Sequence, residues 1–130
     1  MSEKKLITVK DAAPASVPLS PAVAYENLVF VSGQVPRDLV TGKALPGSIK
    51  EETEQVIKNI QMLLEAAGSS LDCVLKTTVF ITDKSYFSEM NEIYGAKFSG
   101  TVKPTRSTVV AGLVADAKVE IEAIAYIPKK

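Results

Sequence analysis

Histidine is absent from all 130 residues, which removes the imidazole partner of a catalytic serine or cysteine and any His-rich metal centre. Chemistry must rest on carboxylates, arginine, lysine, tyrosine or the backbone. A single cysteine, Cys73, excludes a disulfide framework and a CxxC zinc site. Within "LDCVLKTTVFI" it reads as a small buried hydrophobe suited to a reducing compartment. Excess charge is missing too: fifteen Lys and Arg balance fifteen Asp and Glu. No positive field steers the chain to nucleic acid or to an anionic membrane surface. No run approaches the roughly 20 apolar residues that span a bilayer, and no apolar signal region follows the N-terminus. "MSEKKLITVKDAAPA" lacks the arginines of a transit peptide and carries Glu3 and Asp11. A cytoplasmic protein is expected, or a mitochondrial-matrix protein in processed form.

What is present fits one domain over residues 1–130, with no repeat, low-complexity tract or dividing linker. "LITV" at 6–9 predicts a short strand, and "APASVPLSP" at 13–21 a loop stiffened by Pro14, Pro18 and Pro21. "AVAY" and "LVFVSGQV" predict a hairpin turning at Glu26 and Asn27. After the loop "PRDLVTGKALPG", Ser48 and Glu51 form an SxxE capping box that starts a helix. Thr53, Val56, Ile57, Ile60, Leu63, Leu64 and Ala67 recur at three- and four-residue steps along it, and Gly68 stops it.

"VLKTTVFIT" at 74–82 predicts the next strand, with Asp83 capping a second helix over 84–98 whose stripe is Phe87, Met90, Tyr94 and Phe98. Thr105 to Ala111 and Lys118 to Ile127 predict two further strands, expected to pair antiparallel through their short loop. Two helices and about six strands predict an α+β layer, both helices on one face of one sheet. In the last strand Val119, Ile121, Ala123, Ala125 and Ile127 suit the helix-covered face, leaving Glu120, Glu122, Ile124 and Tyr126 on the other. That second face is half apolar, so packing against copies of itself is expected: a closed homo-oligomer. The lysines at 4, 5, 10, 129 and 130 read as solvating charges.

Arg106 stands in "KPTRSTVV", a strand otherwise built of small and β-branched residues after Pro104. Alternation puts Arg106, Thr108 and Val110 on one face, and antiparallel pairing would bring Glu120 or Glu122 to that same face. An ordinary cross-strand ion pair is one reading. The other is a ligand clamp: hydroxyl neighbours leave a hollow in which a planar fork takes a carboxylate bidentately, and a small carboxylic acid is the natural guest. Asn91 lies on the second helix's buried stripe, where its amide either ties a backbone group or meets a ligand.

"NLVFVSGQVP", "LDCVLKTTVFITD", "MNEIYGAKF", "KPTRSTV" and "VEIEAIA", in this order and spacing, resemble the RidA family, also called the YjgF family, over nearly the whole chain. The resemblance implies a chorismate-mutase-like fold and a homotrimer whose sheets form a central barrel, with ligand sites in clefts between subunits. It also implies an enamine/imine deaminase, free of cofactor and metal. Such enzymes hydrolyse 2-aminoacrylate-derived 2-imino acids (2-iminobutanoate, 2-iminopropanoate) to 2-keto acids and ammonia, protecting pyridoxal-phosphate enzymes.

On this resemblance Arg106 is the carboxylate clamp and Glu120 positions or activates the attacking water. Ser32, Gly33 and Asn91 line the cleft, and Thr108 stands where many members have cysteine. Leu19, in "VPLSPA", occupies the position of a family tyrosine, and the segment from Arg106 to Glu120 is one residue shorter than usual. The alternative is a non-catalytic trimeric binding or regulatory protein that senses a small carboxylate such as 2-ketobutyrate. Neither reading calls for nucleic acid or a membrane as partner.

Overall fold

In the computed structural model, which describes residues 3–129, the Ser48 and Glu51 spacing does what it predicts. Ser48 Oγ accepts from the Glu51 N–H at 3.1 Å while Glu51 Oε1 accepts from the Ser48 N–H at 2.9 Å. This capping box satisfies two of the donors that a helix start leaves open, and α1 runs from it over Ile49–Ala66. Val56, Ile57, Ile60, Leu63 and Leu64 line its buried face. Gly68, at φ +84°, adopts the left-handed conformation that ends the helix.

The second helix begins later than expected. Asp83 accepts from the Ser85 N–H at 2.8 Å and caps one 3₁₀ turn, Lys84–Tyr86, before α2 spans Phe87–Lys97. Met90, Tyr94 and Phe98 are buried as their stripe predicts, but Phe87 is 42% exposed.

Six strands form one sheet: β1 (Lys5–Ile7), β2 (Ala22–Tyr25), β3 (Leu28–Gln34), β4 (Val74–Ile81), β5 (Thr105–Val110) and β6 (Val119–Tyr126), in the order β1-β2-β3-β6-β4-β5. The hairpin of β2 and β3 turns at Glu26, which takes φ 53°. Val29, Val31, Val79, Ile81, Val119, Ile121, Ala123 and Ala125 face α1 and α2 in one core. Lys4, Lys5, Lys10 and Lys129 are exposed as expected, and Lys130 lies outside the described residues. No helix among the described residues is long and apolar enough to cross a membrane.

One expected pairing is wrong. β5 does not pair with β6; it runs parallel to β4, and β6 lies antiparallel on the other side of β4. Two physical reasons account for it. A helix stands between β4 and β5, the crossover that parallel neighbours need. In addition, β6 buries every second residue, Val119 to Ala125, and takes a central place between β3 and β4, whereas no residue of β5 is fully buried and it forms the edge. The sheet's second face carries Glu120, Glu122, Ile124 and Tyr126 as expected, with Phe30 opposite Ile124 and 43% exposed. A shallow hollow of about 140 Å³ lies there, lined by Phe30, Lys76, Thr78, Glu122 and Ile124.

Candidate functional site

Arg106 is carried on the edge strand, in register with Thr77 of β4, and its side chain turns to the helix side of the sheet. There it meets three residues from one face of α2. Its Nη1 donates to Asn91 Oδ1 at 2.7 Å, and its Cζ lies 4.8 Å from the Tyr94 ring centroid and 5.8 Å from that of Phe87. These are cation–π distances, so the guanidinium rests on aromatic faces while staying open to solvent. The ion pairs among the described residues are Lys50 with Glu92 and Lys118 with Glu52; Arg106 is in neither. Its charge is met by a neutral amide and two rings and is left uncancelled. Two residues along the same face, the Thr108 Oγ1 is buried without a hydrogen-bond partner among the described residues.

Tyr94 is itself tied down, sharing a 2.7 Å hydrogen bond with Thr77 Oγ1. Burial pushes its hydroxyl pKa up, opposed by Thr77 and by the Arg106 charge. Tyr94 and Phe87 read as core positions in the sequence; their second role was detectable only as an aromatic, amide, aromatic spacing of four and three residues on one helix face.

A second group forms on the opposite face of the sheet. Glu120, on β6, lies against the backbone of Gly33 so closely that any side chain there would collide with its carboxylate. Burial raises the Glu120 pKa, and the like charge of Glu122 raises it further. Ser32, beside Gly33, donates from Oγ to Ser20 O at 2.7 Å, and its N–H bonds Pro21 O at 3.0 Å. These bonds pin the 13–21 loop to β3 next to Glu120. They also fix the backbone beside Leu19, whose side chain is 49% exposed.

The predicted site residues therefore separate into two groups in one chain: Arg106, Asn91 and Thr108 on the helix side, and Glu120, Gly33 and Ser32 on the other, with Leu19 next to the Ser20 that Ser32 holds. Neither Glu120 nor Glu122 shares a face with Arg106, contrary to expectation, because β4 intervenes and the register places Glu120 opposite Phe80 and Arg106 opposite Thr77. Asn91 Oδ1 accepts from Arg106 rather than tying a backbone group. The first group presents a guanidinium whose charge no neighbour cancels, and the second holds a carboxylate whose pKa is raised by burial. Among the described residues no cluster of His, Cys, Asp and Glu converges as metal ligands.

A sequence profile of the Ribonuc_L-PSP family, described as endoribonuclease L-PSP, matches residues 9–127. The RutC family protein PH0854 of Pyrococcus horikoshii is 44% identical over 95% of this chain and 98% of its own. The 2-iminobutanoate/2-iminopropanoate deaminase of Mus musculus is 39% identical over 94% of this chain and 90% of its own. Other relatives are named mitochondrial in Saccharomyces cerevisiae and chloroplastic in Arabidopsis thaliana. Among solved structures, YyfA of Yersinia pestis, from the conserved Rid protein family, has a TM-score of 0.89 at 40% identity, covering 96% of this chain and 100% of that one. Escherichia coli TdcF, solved with bound serine, has a TM-score of 0.85 at 38% identity, covering 94% and 98%. With the family profile spanning residues 9–127 and these relatives sharing its fold and about 40% of its sequence, this chain belongs to the Ribonuc_L-PSP family, the YjgF and RidA proteins.

Proposed function

We propose that this protein is a cofactor-independent deaminase that hydrolyses 2-iminobutanoate and 2-iminopropanoate to 2-keto acids and ammonia. The observation that carries this reading is the Arg106 guanidinium, held by Asn91, Tyr94 and Phe87 but not neutralised by any of them. Such a fork suits the carboxylate of a small acid, with the Thr108 hydroxyl beside it as a further donor. Water then adds to the C=N carbon while Glu120 accepts its proton. Protonated Glu120 returns that proton to the carbinolamine nitrogen, and as its carboxylate then takes the hydroxyl proton the C=O forms and ammonia leaves. An iminium is already electrophilic, so positioning and one weak base suffice. Ser32 and Gly33 wall this part of the cleft.

Because clamp and base leave opposite faces of the sheet, the complete site requires two copies of the chain, Arg106 from one and Glu120 from its neighbour. A homotrimer with its sheets facing a central barrel would supply that arrangement and would cover the Phe30, Ile124 and Tyr126 face. The biological role follows from the substrate: removal of reactive imines released by pyridoxal-phosphate dehydratases, in the cytoplasm or an organelle matrix. The relatives named as deaminases support the reaction class. Balanced charge and the absence of histidine give the endoribonuclease description of the family no chemical support here.

A second reading has one observation in its favour: Leu19 presents an exposed aliphatic side chain where the resemblance implies a tyrosine hydroxyl. On that reading the cleft retains a carboxylate metabolite such as 2-ketobutyrate without hydrolysis. Coupling the protein to threonine dehydratase, with semicarbazide competing for the imine, separates the two. Faster 2-ketobutyrate formation is expected for a deaminase. Unchanged formation together with tight 2-ketobutyrate binding would establish the sensor instead.

A further inference from the structure

We infer that Tyr94, gripped by Thr77, is a positioning residue that sets the plane in which the Arg106 guanidinium meets the substrate carboxylate. This rests on the reading of Arg106 as a carboxylate clamp. An arginine on an edge strand has many rotamers, and its fork binds a planar anion only when its own plane is fixed. Here an aromatic ring supports the guanidinium. Tyr94 lies 4.8 Å beneath Cζ, and its hydroxyl is anchored 2.7 Å from Thr77 Oγ1, whose residue stands in register with Arg106 on the adjoining strand. Phe98 packs 4.5 Å from the Tyr94 centroid at a tilt of 37°, so the ring is restrained from another side as well. The chain of contacts closes on itself: β5 carries the arginine, β4 carries the threonine next to it, and α2 carries the ring that links them.

Asn91 completes the arrangement. It takes one N–H of Nη1 at 2.7 Å and, being neutral, leaves the charge for the ligand. With Cζ 4.8 Å from the Tyr94 centroid and Nη1 bonded to Asn91, the N–H groups not so engaged are left for the carboxylate. Preorganisation of this kind lowers the ordering cost of binding, and the contact is made equally in ground and transition states. The expected signature is a rise in KM with little change in kcat.

The test uses the assembled full-length protein and two readouts: KM and kcat for 2-iminobutanoate, and the 2-ketobutyrate Kd by calorimetry. Tyr94→Leu is expected to raise KM and Kd about tenfold, with kcat held within about threefold. Tyr94→Phe keeps the ring but loses the Thr77 bond, and Thr77→Val loses the same bond from the other side. Both are expected to raise KM and Kd by about threefold, equally and non-additively in the double variant. A purely structural role would lower the melting temperature or the active fraction and leave KM and Kd unchanged, which overturns the inference. If Tyr94→Leu does not fold, Phe87→Ala at a 42% exposed position takes its place, with an expected Kd increase of about threefold. An unchanged Kd there, or wild-type protein that binds no 2-ketobutyrate, also overturns it. Wild-type protein that binds the keto acid but hydrolyses no imine removes the deaminase reading alone, because the Kd series needs no turnover.

Discussion

Arg106 and Glu120 leave one sheet from opposite faces, on strands β5 and β6 that β4 keeps apart. Two strand spacings put them roughly 10 Å apart across the sheet, and three residues along β6 add about as much again. Side chains pointing away from each other cannot close that distance. A reaction that needs both groups at one carbon must take them from two chains.

Mixing two inactive variants tests this directly. Arg106→Ala and Glu120→Gln, unfolded together and reassembled, should regain activity, since some junctions then join an intact Arg106 to an intact Glu120. Random assembly around a closed ring gives about one quarter of the wild-type sites. No recovery, with mixed oligomers demonstrated by mass, would mean that each site is built within one chain.

Arg106→Lys keeps the charge but loses the planar fork and its fit on Tyr94 and Phe87. The expected loss in kcat/KM is about 3 kcal/mol, or more than 100-fold, with Arg106→Ala lower still. Both variants should keep the wild-type oligomer by light scattering. Dissociation would instead assign Arg106 to subunit pairing.

The Glu120 carboxyl is held above its ordinary value of 4.5, chiefly by burial. If its ionised form is the base, kcat/KM falls on the acid side with an apparent pKa above 4.5, and Glu120→Gln abolishes that limb and costs about 100- to 10,000-fold. Stability has the opposite sense. The folded protein binds this proton more tightly than the unfolded chain, so the contribution is complete below 4.5 and is lost as pH rises through the raised folded value. Glu120→Gln should therefore raise the melting temperature at neutral pH and not below 4.5. A gain at both pH values would rule out this linkage.

Gly33→Ala places a methyl group against the Glu120 carboxylate. Gly33 is not among the glycines with positive φ, so its backbone accepts alanine and the effect is steric. The Glu120 side chain can swing aside, so little stability is expected to go, and the loss falls on activity because the base is displaced. A melting temperature lowered as much by Gly33→Ala in a Glu120→Ala background would place the strain elsewhere, and unchanged activity would show that Glu120 is not held by this contact.

Ser48→Ala removes half of the box that starts α1, and about 1 kcal/mol of stability is expected to go with it. At fixed protein concentration the urea midpoint should fall with its slope unchanged. A wild-type midpoint would show that the helix start is held by other contacts, such as Glu52 accepting from the Lys118 N–H at 2.7 Å.

Much of the architecture was legible locally. Ser48, Glu51 and Gly68 marked α1, Glu26 and Asn27 marked the hairpin, and the alternation of β6 separated its faces correctly. The partner of β5 was not legible, because β5 carries no buried alternation that would choose a neighbour. A helix between two strands favours parallel crossover, but that preference competes with the short loop leading to β6. The aromatic role of Phe87 and Tyr94 stayed hidden for a related reason: a stripe at helical spacing describes what a helix buries, not what reaches it from an edge strand.

The sequence by itself determined the chemistry available: no imidazole, one buried thiol, and a lone arginine among hydroxyls able to meet a carboxylate. Periodicity and capping, which depend on neighbours within a few residues, determined the helices and most strands. Only the tertiary structure decided which groups share a place. It put β4 between Arg106 and Glu120, seated the guanidinium on Tyr94 and pressed Glu120 onto Gly33. These relationships join residues far apart in the chain, and they depend on which strands compete best for the buried centre of the sheet.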